Sequence, residues 1–396
     1  MPDIRLKNQP FDLAFHPSSS TLYSSLLTGE VKAYSFDEET GETKSTWTAR
    51  PSKKTARCLD VEESGDAVWM GGKSGALFRL DARDGLVKSE FADAHESPIN
   101  RVKCINANLL ASGDDEGVIK FWDPRQESSI RTYSQHFDYI SDFLYFDDER
   151  QLITTGGDGH LSVIDIRSSK PNPMCVSDDQ EDELLSIVPI KGDTKCLVGT
   201  GLGILSIWSR KSGFGDCVDR IPGHPASIDA LVALTPDIVA SGSEDGMIRV
   251  MQILPNKFLG VIATHEEFPI ERMKLSHSRR WLGSVSHDEC IKLTDVEDLF
   301  EESDGEDEEN NEDEDDGMEG VEGDEGKEEE SRSEREDEPA GEDEEMDSDD
   351  SEDRRREEKA RRKAEKSDKR GKGKGGMGDM GMGVDKDDKE GFFDDL

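Results

Sequence analysis

Along the first three-quarters of the chain, apolar and polar positions alternate in short runs broken by acidic or glycine-bearing turns. The segments "LASGDDEGVIKFWD" (110–123), "LITTGGDGHLSVID" (152–165), "CLVGTGLGILSIW" (196–208) and "VASGSEDGMIRVM" (239–251) repeat one arrangement. A small, apolar run reaches a tight turn and then alternates, which is the pattern of two half-buried antiparallel strands joined by a hairpin. The turns fall at Gly29, Gly75, Gly117, Gly159, Gly203 and Gly246, with Glu289 in the seventh place, and the steps between them are 46, 42, 42, 44, 43 and 43 residues. A four-stranded propeller blade repeats about every 40–45 residues. The spacing therefore predicts an all-β, seven-bladed β-propeller over residues 1–296, with each unit supplying the second and third strands of a blade.

The turn glycine provides the positive φ that such hairpins require, and the acid just before it (Glu116, Asp158, Asp245) is placed to accept backbone N–H groups. Upstream of several turns a histidine precedes an isoleucine and a polar residue: His95 to Asn100, His136 to Ser141, His224 to Asp229, and His265 to Glu271. One intact Trp-Asp, Trp122-Asp123, ends a third strand. Together these residues resemble the WD40 family, and the resemblance covers roughly residues 1–296. It implies that His95, His136, His224 and His265, the turn acids Glu116, Asp158 and Asp245, and Trp122-Asp123 form a structural hydrogen-bond network. Leu80-Asp81, Ile164-Asp165 and Trp208-Ser209 replace Trp-Asp elsewhere, while Tyr34, Met251 and Thr294 stand there in the first, sixth and seventh repeats.

Ring closure is predicted from the two ends of this region. After "CIKLTD" (290–295) the chain turns acidic at once and leaves the seventh blade one strand short, whereas residues 3–8, "DIRLKN", precede the first complete repeat. An N-terminal strand that completes the last blade would remove the open edges. Deletion of residues 1–9 is accordingly expected to destabilise the whole ring.

Charge separates the repeat region from the remainder of the chain. The net charge of −42 is concentrated after residue 296, where 45 acidic and 17 basic residues leave −28, against −14 before it. Residues 297–353 hold 34 acidic and 3 basic residues, and 354–396 hold 11 and 14. Self-repulsion and a scarcity of apolar residues predict a disordered tail, acidic over 297–353 and then basic and Gly-rich over 354–396.

Little in the chain suggests catalysis. The six cysteines (Cys58, Cys104, Cys175, Cys196, Cys217, Cys290) have no metal-site spacing, and no secretory signal or apolar run of about 18 residues is present. They read as thiols in a reducing compartment, with no metal, no cofactor, no small-molecule substrate and no membrane contact expected. The carboxylates of "CVSDDQEDELL" read as a solvated loop. "GKGKGGMGDMGMG" (371–383) lacks the P-loop lysine and the strand before it, so it reads as a linker.

Binding is the remaining function class. Trp122-Asp123-x-Arg125 and Asp165-x-Arg167 resemble the docking signature of WD40 substrate receptors for cullin-based ubiquitin ligases. That likeness implies a ligase-adaptor partner, while the simpler reading pairs each arginine with its own aspartate. The run "RRREEKARRKAEKSDKRGKGK" (354–374), with Arg354, Arg355, Arg356, Arg361, Arg362 and Lys363, has the composition of a nuclear address or of a nonspecific RNA contact. The acidic block before it suits basic partners such as histones or ribosomal proteins, or simply keeps the chain soluble. Ser303 and Ser333 fit acid-directed phosphorylation, and Phe392-Phe393 in "GFFDDL" is either a docking motif or a chance pair.

The closed ring, the acidic-then-basic tail and the final "GFFDDL" are together similar to the JIP-type nucleolar WD-repeat family. What this resemblance implies is a non-catalytic scaffold of the nucleus and nucleolus, partnered by proteins of pre-ribosomal particles. Its expected role is ribosome biogenesis, in pre-rRNA processing for the large subunit. The alternatives are the ligase receptor and a histone or chromatin platform that uses the acidic tail.

Overall fold

The computed structural model describes residues 3–301, which form seven four-stranded antiparallel sheets, a short α-helix, Asp298–Glu301, and a 3-10 turn at Arg210–Ser212. The strands of each blade are lettered a to d in sheet order. The a strands of neighbouring blades contact one another and so ring the axis. In blade 3 the four strands are Ile99–Asn106, Leu109–Asp114, Ile119–Trp122 and Ser129–Tyr133. Every predicted turn joins strands b and c. Gly117, at φ 78°, shows why glycine stands there: a Cβ would lie 2.6 Å from the His136 carbonyl oxygen, in the loop leading to blade 4. In blade 7 Glu289 takes the left-handed conformation instead, at φ 57°.

The ring closes as the sequence predicts. Blade 7 takes strands a to c from Ile270–Leu275, Trp281–Ser286 and Cys290–Asp295, and its d strand is Asp3–Arg5. Asp3 pairs with Lys292, Ile4 with Ile291 and Arg5 with Cys290, and Leu6 N–H donates to the Glu289 carbonyl at 2.8 Å. Ile4 and Leu6 are buried with Leu13, Leu22, Trp281 and Ile291, so apolar burial between blades 7 and 1 reinforces a three-residue strand.

The core lies between blades and consists of apolar clusters shared by neighbouring sheets. Ordered packing runs slightly past the predicted boundary at 296, because Leu299 and Phe300 pack on the blade 6 and 7 cluster. In six blades strand a begins with a bulge, for example between Ile99 and Arg101 and between Ile270 and Arg272. A bulge re-aims a side chain. Here it sets Arg57, Asn100, Ser141 and Glu271 apart from the regular alternation, at the end of the ring that carries the b–c turns.

Candidate functional site

In blade 3 a histidine network forms around His95, with Asp114 rather than the predicted Glu116 as its acid. His95 sits in the loop before strand a, where its Nδ1 lies 2.8 Å from Asp114 Oδ2 and its Nε2 lies 2.6 Å from Ser112 Oγ. Trp122 Nε1–H donates to the same Ser112 oxygen at 2.8 Å. The carboxylate can only accept, so the neutral ring carries its proton on Nδ1 and Nε2 accepts from the serine. Burial depresses the His95 pKa against the pull of Asp114. The His95 backbone N–H also donates to the Gly75 carbonyl, which ties the turn of blade 2 to strand b of blade 3.

The other histidines vary this theme. His136 meets Asp158 at 3.1 Å and Ser162 at 2.9 Å. Burial raises the Asp158 carboxyl, but the His136 hydrogen bond and charge and two backbone amides outweigh it and leave the pKa lowered. His265 lies 2.7 Å from both Asp288 and Ser284. His224 meets Ser241 at 2.8 Å, but no carboxylate pairs with it among the described residues. Burial and the nearby Arg249 charge push its pKa down to about 4 against Asp245.

Two of the three predicted turn acids lie outside these histidine pairs. Glu116 is exposed on the turn, and Asp114, three residues before Gly117, takes the histidine instead. Asp114 ends a buried strand, whereas Glu116 is carried to the tip of the hairpin. Asp245 gives its carboxylate to Arg249, at 2.5 and 3.0 Å. Asp158 alone of the three pairs with a histidine.

The Asp-x-Arg ends are self-contained. Arg125 Nε and Nη2 donate to the two oxygens of Asp123 at 2.8 and 2.6 Å, and Arg167 does the same to Asp165 at 2.9 Å for both contacts. The Arg125 hydrogen bonds hold the Asp123 carboxyl well below its usual range. Both arginine side chains are largely exposed, at 69% and 65%.

The centre of the ring carries a feature that sequence reading missed. Arg272, 5% exposed, crosses from blade 7 to blade 4 and donates to Asp142 Oδ2 at 3.2 Å and to the Ser141 carbonyl at 3.1 Å. Arg101 of blade 3 donates to that same carbonyl. The Arg272 side chain therefore reaches across the ring.

Around the mouth of the axis, Arg57 bonds Asn100 at 2.8 Å and Asp115 at 2.9 Å. On the opposite arc, burial lifts Asp229 to about 6 despite a 2.7 Å bond from Ser227, with Glu271 and Glu244 adding to the rise. Glu271 contacts His287, and that bond raises the histidine. Asp229, Glu244 and Glu271 therefore lie together on one side of the mouth.

All six cysteines are free; Cys58 and Cys196 are buried and the other four are half-buried. Burial pushes the Cys196 thiol up to about 12. Among the described residues, no group of His, Cys, Asp and Glu is arranged to hold a metal, and no helix is long and apolar enough to cross a membrane. Arg354, Arg355, Arg356, Arg361, Arg362, Lys363, Ser303, Ser333 and the Phe392-Phe393 pair lie outside the described residues.

Comparison with known proteins agrees with this geometry. The crystal structure of the WD40 β-propeller domain of Doa1 superimposes with a TM-score of 0.62 at 14% identity, covering 74% of this chain and 95% of that one, which supports the fold. WD repeat-containing protein JIP5 of Cryptococcus neoformans var. neoformans serotype D is 66% identical over 330 residues, covering 77% of this chain and 88% of the relative. WD repeat-containing protein 55 of Homo sapiens is 33% identical, covering 75% and 77%. The family model WDR55 matches residues 1–299, a span that ends within the short helix on blades 6 and 7. With the ring, its closure and its histidine network already described, these matches establish that the chain belongs to the WDR55 family of WD-repeat proteins.

Proposed function

We propose that this protein is a non-catalytic scaffold of the nucleolus that acts in ribosome biogenesis, in processing of pre-ribosomal RNA for the large subunit. The observation that carries this reading is the WDR55-family ring itself, joined in the sequence to the basic run at 354–374. The state of the polar groups supports a binding role. Three of the four network histidines are committed to an aspartate and a serine, and the fourth to a serine. Arg272 and Arg101 meet at the Ser141 carbonyl near the axis. The acidic arc of Asp229, Glu244 and Glu271 suits the basic surfaces of ribosomal proteins. The tail adds salt-sensitive contacts to RNA or to basic proteins.

The test is depletion of the protein, followed by rescue with the intact chain or with a chain whose basic residues between 354 and 374 are neutralised. Large-subunit precursor RNA should accumulate on depletion and clear on rescue with the intact form, while the neutralised form should lose nucleolar retention. Normal precursor levels after depletion would refute the reading.

A further inference from the structure

Three consecutive blades end strand c in Asp-x-Arg, and one of the three is open. In blades 3 and 4 the arginine fork closes on its own aspartate. In blade 2 the turn reads Asp81-Ala82-Arg83, and Asp81 Oδ1 still accepts the Arg83 backbone N–H at 2.8 Å. The second oxygen of Asp81, however, is held by Lys88 Nζ at 2.9 Å. Arg83 is displaced and, among the described residues, its side chain reaches Asp66 at 3.4 Å, with side chains 83% and 57% exposed.

The cause is visible in the register. Leu80 pairs with Val87 and Trp122 pairs with Ser129, each beside a bulge, so Lys88 and Ile130 hold the same place in their d strands. Ile130 brings no cation to Asp123, and the blade 3 fork stays closed.

The displaced Arg83 borders a cavity of about 310 Å³ between blades 1 and 2, with Thr46, Trp47, Ser64 and His16 in its walls. The walls are fixed. Trp47 Nε1–H and the Tyr23 hydroxyl both donate to the Ala82 carbonyl, at 3.0 and 3.1 Å. His16 has both nitrogens engaged: Nε2 donates to the Gly65 carbonyl at 3.1 Å, and Nδ1 accepts from Ser18 N–H at 3.2 Å. Gly65, at φ 75°, permits this approach, because a Cβ there would lie 2.3 Å from His16 Nε2. Besides the Arg83 side chain, the hydroxyl-bearing residues Ser19, Thr21, Thr46 and Ser64 line the cavity. Asp66 is the one carboxylate in the lining.

We propose that this cavity docks a carboxylate side chain from an acidic segment of a partner protein, with Arg83 as the two-point contact and Trp47 as the wall. Blades 3 and 4 show what the fork in this turn holds when it is filled, namely a carboxylate bound through two parallel hydrogen bonds. An ion pair as exposed as Arg83–Asp66 is weak, so an incoming carboxylate displaces it at little cost. This inference goes beyond the nucleolar reading and does not rest on it.

The experiment uses the full chain with ¹⁵N-labelled tryptophan at roughly 0.15 M ionic strength, where exposed charges are screened beyond about 8 Å. An acetylated, amidated tetraglutamate peptide is titrated beside its tetraglutamine counterpart, and the Trp47 indole signal is followed. Tetraglutamate should shift that signal saturably and tetraglutamine should not. Arg83→Ala should weaken binding at least about tenfold, as expected for loss of a hydrogen bond to a charged group, whereas Arg125→Ala should leave it unchanged. Lys88→Met should also weaken it, by returning Arg83 to Asp81. A Trp47 signal that never moves, that moves equally with tetraglutamine, or that responds unchanged in Arg83→Ala overturns the proposal.

Discussion

Blade 3 and blade 6 are built on the same strand plan but hold their histidines by different means. In blade 3 a directed chain runs from the Trp122 N–H through the Ser112 hydroxyl to His95 and on to Asp114. In blade 6 the corresponding residues are Met251, Ser241, His224 and Ser243, so the chain keeps only its middle link. The acid just before the blade 6 turn glycine, Asp245, turns to Arg249. Both blades nevertheless close the same four-stranded sheet. Strand pairing and packing between blades therefore fix the fold, and the polar network adds stability blade by blade.

The largest expected effect breaks the stronger network. His95→Ala leaves Asp114, 2% exposed, without its partner, while Ser112 and Trp122 lose the direction of their bonds. Leaving a buried carboxylate without one of its hydrogen-bond donors costs about 3 kcal/mol or more. The Glu116 and Val118 amides that still reach Asp114 place this case near the lower end. His224→Ala strands only a serine hydroxyl, and the expected cost is about 1–2 kcal/mol. Urea denaturation of the two variants beside the parent checks the ordering. Equal losses would mean that Asp114 contributes nothing beyond what Ser241 contributes.

A pH series sharpens the contrast. His224 has a folded pKa of about 4 against an ordinary value near 6.5, so between those values the unfolded chain binds a proton that the fold refuses. Its contribution to stability is fully present above about pH 6.5 and is lost as pH falls toward 4, amounting to about 3 kcal/mol at most. Asp229 and Asp12, both raised to about 6 chiefly by burial, act in the opposite sense over the same interval. As pH falls below about 6 the folded state takes up their protons first and gains stability. The parent therefore shows a shallow dependence in which these groups offset one another. His224→Asn removes the opposing group, and its stability relative to the parent should rise as pH falls from 6.5 to 4. A difference that stays constant across that range would remove His224 from the account.

What was legible in the sequence divides along the same line. The turn spacing located every b–c hairpin, and the N-terminal strand of blade 7 was legible because the seventh repeat visibly lacked an outer strand. Local hydrogen bonding was harder. Glu116 and Asp114 are two residues apart in one acidic turn, and only the direction of strand b decides which of them meets His95. The contact of Arg272 with Asp142 left no signal, since those residues lie on opposite arms of the chain and meet only because the ring closes. The open fork of Arg83 was hidden for a related reason. Asp-x-Arg recurs in blades 2, 3 and 4, and what differs is Lys88 opposite Ile130, a comparison that needs the register of the outer strands.

The smallest expected change in stability comes from rebuilding the missing link. Ser243 occupies in blade 6 the place of Asp114, three residues before the turn glycine, and it is fully buried, its hydroxyl 3.4 Å from the Ala226 carbonyl and bonded to the Asp245 carboxylate. Ser243→Asp would set a carboxylate where His224 lacks one, but beside Asp245, whose charge is already balanced by Arg249. Pairing with His224 favours the new charge, while burial and the second carboxylate oppose it, so the net change at neutral pH should stay within about 1 kcal/mol of zero. The titration of His224 should respond far more, rising from about 4 toward or above its ordinary value as the imidazolium gains a partner. An NMR titration of the His224 ring protons reads this directly. A pKa that stays near 4 with the ring intact would mean that burial and the Arg249 charge, rather than the missing aspartate, keep His224 neutral, and the contrast between blades 3 and 6 would then rest on them.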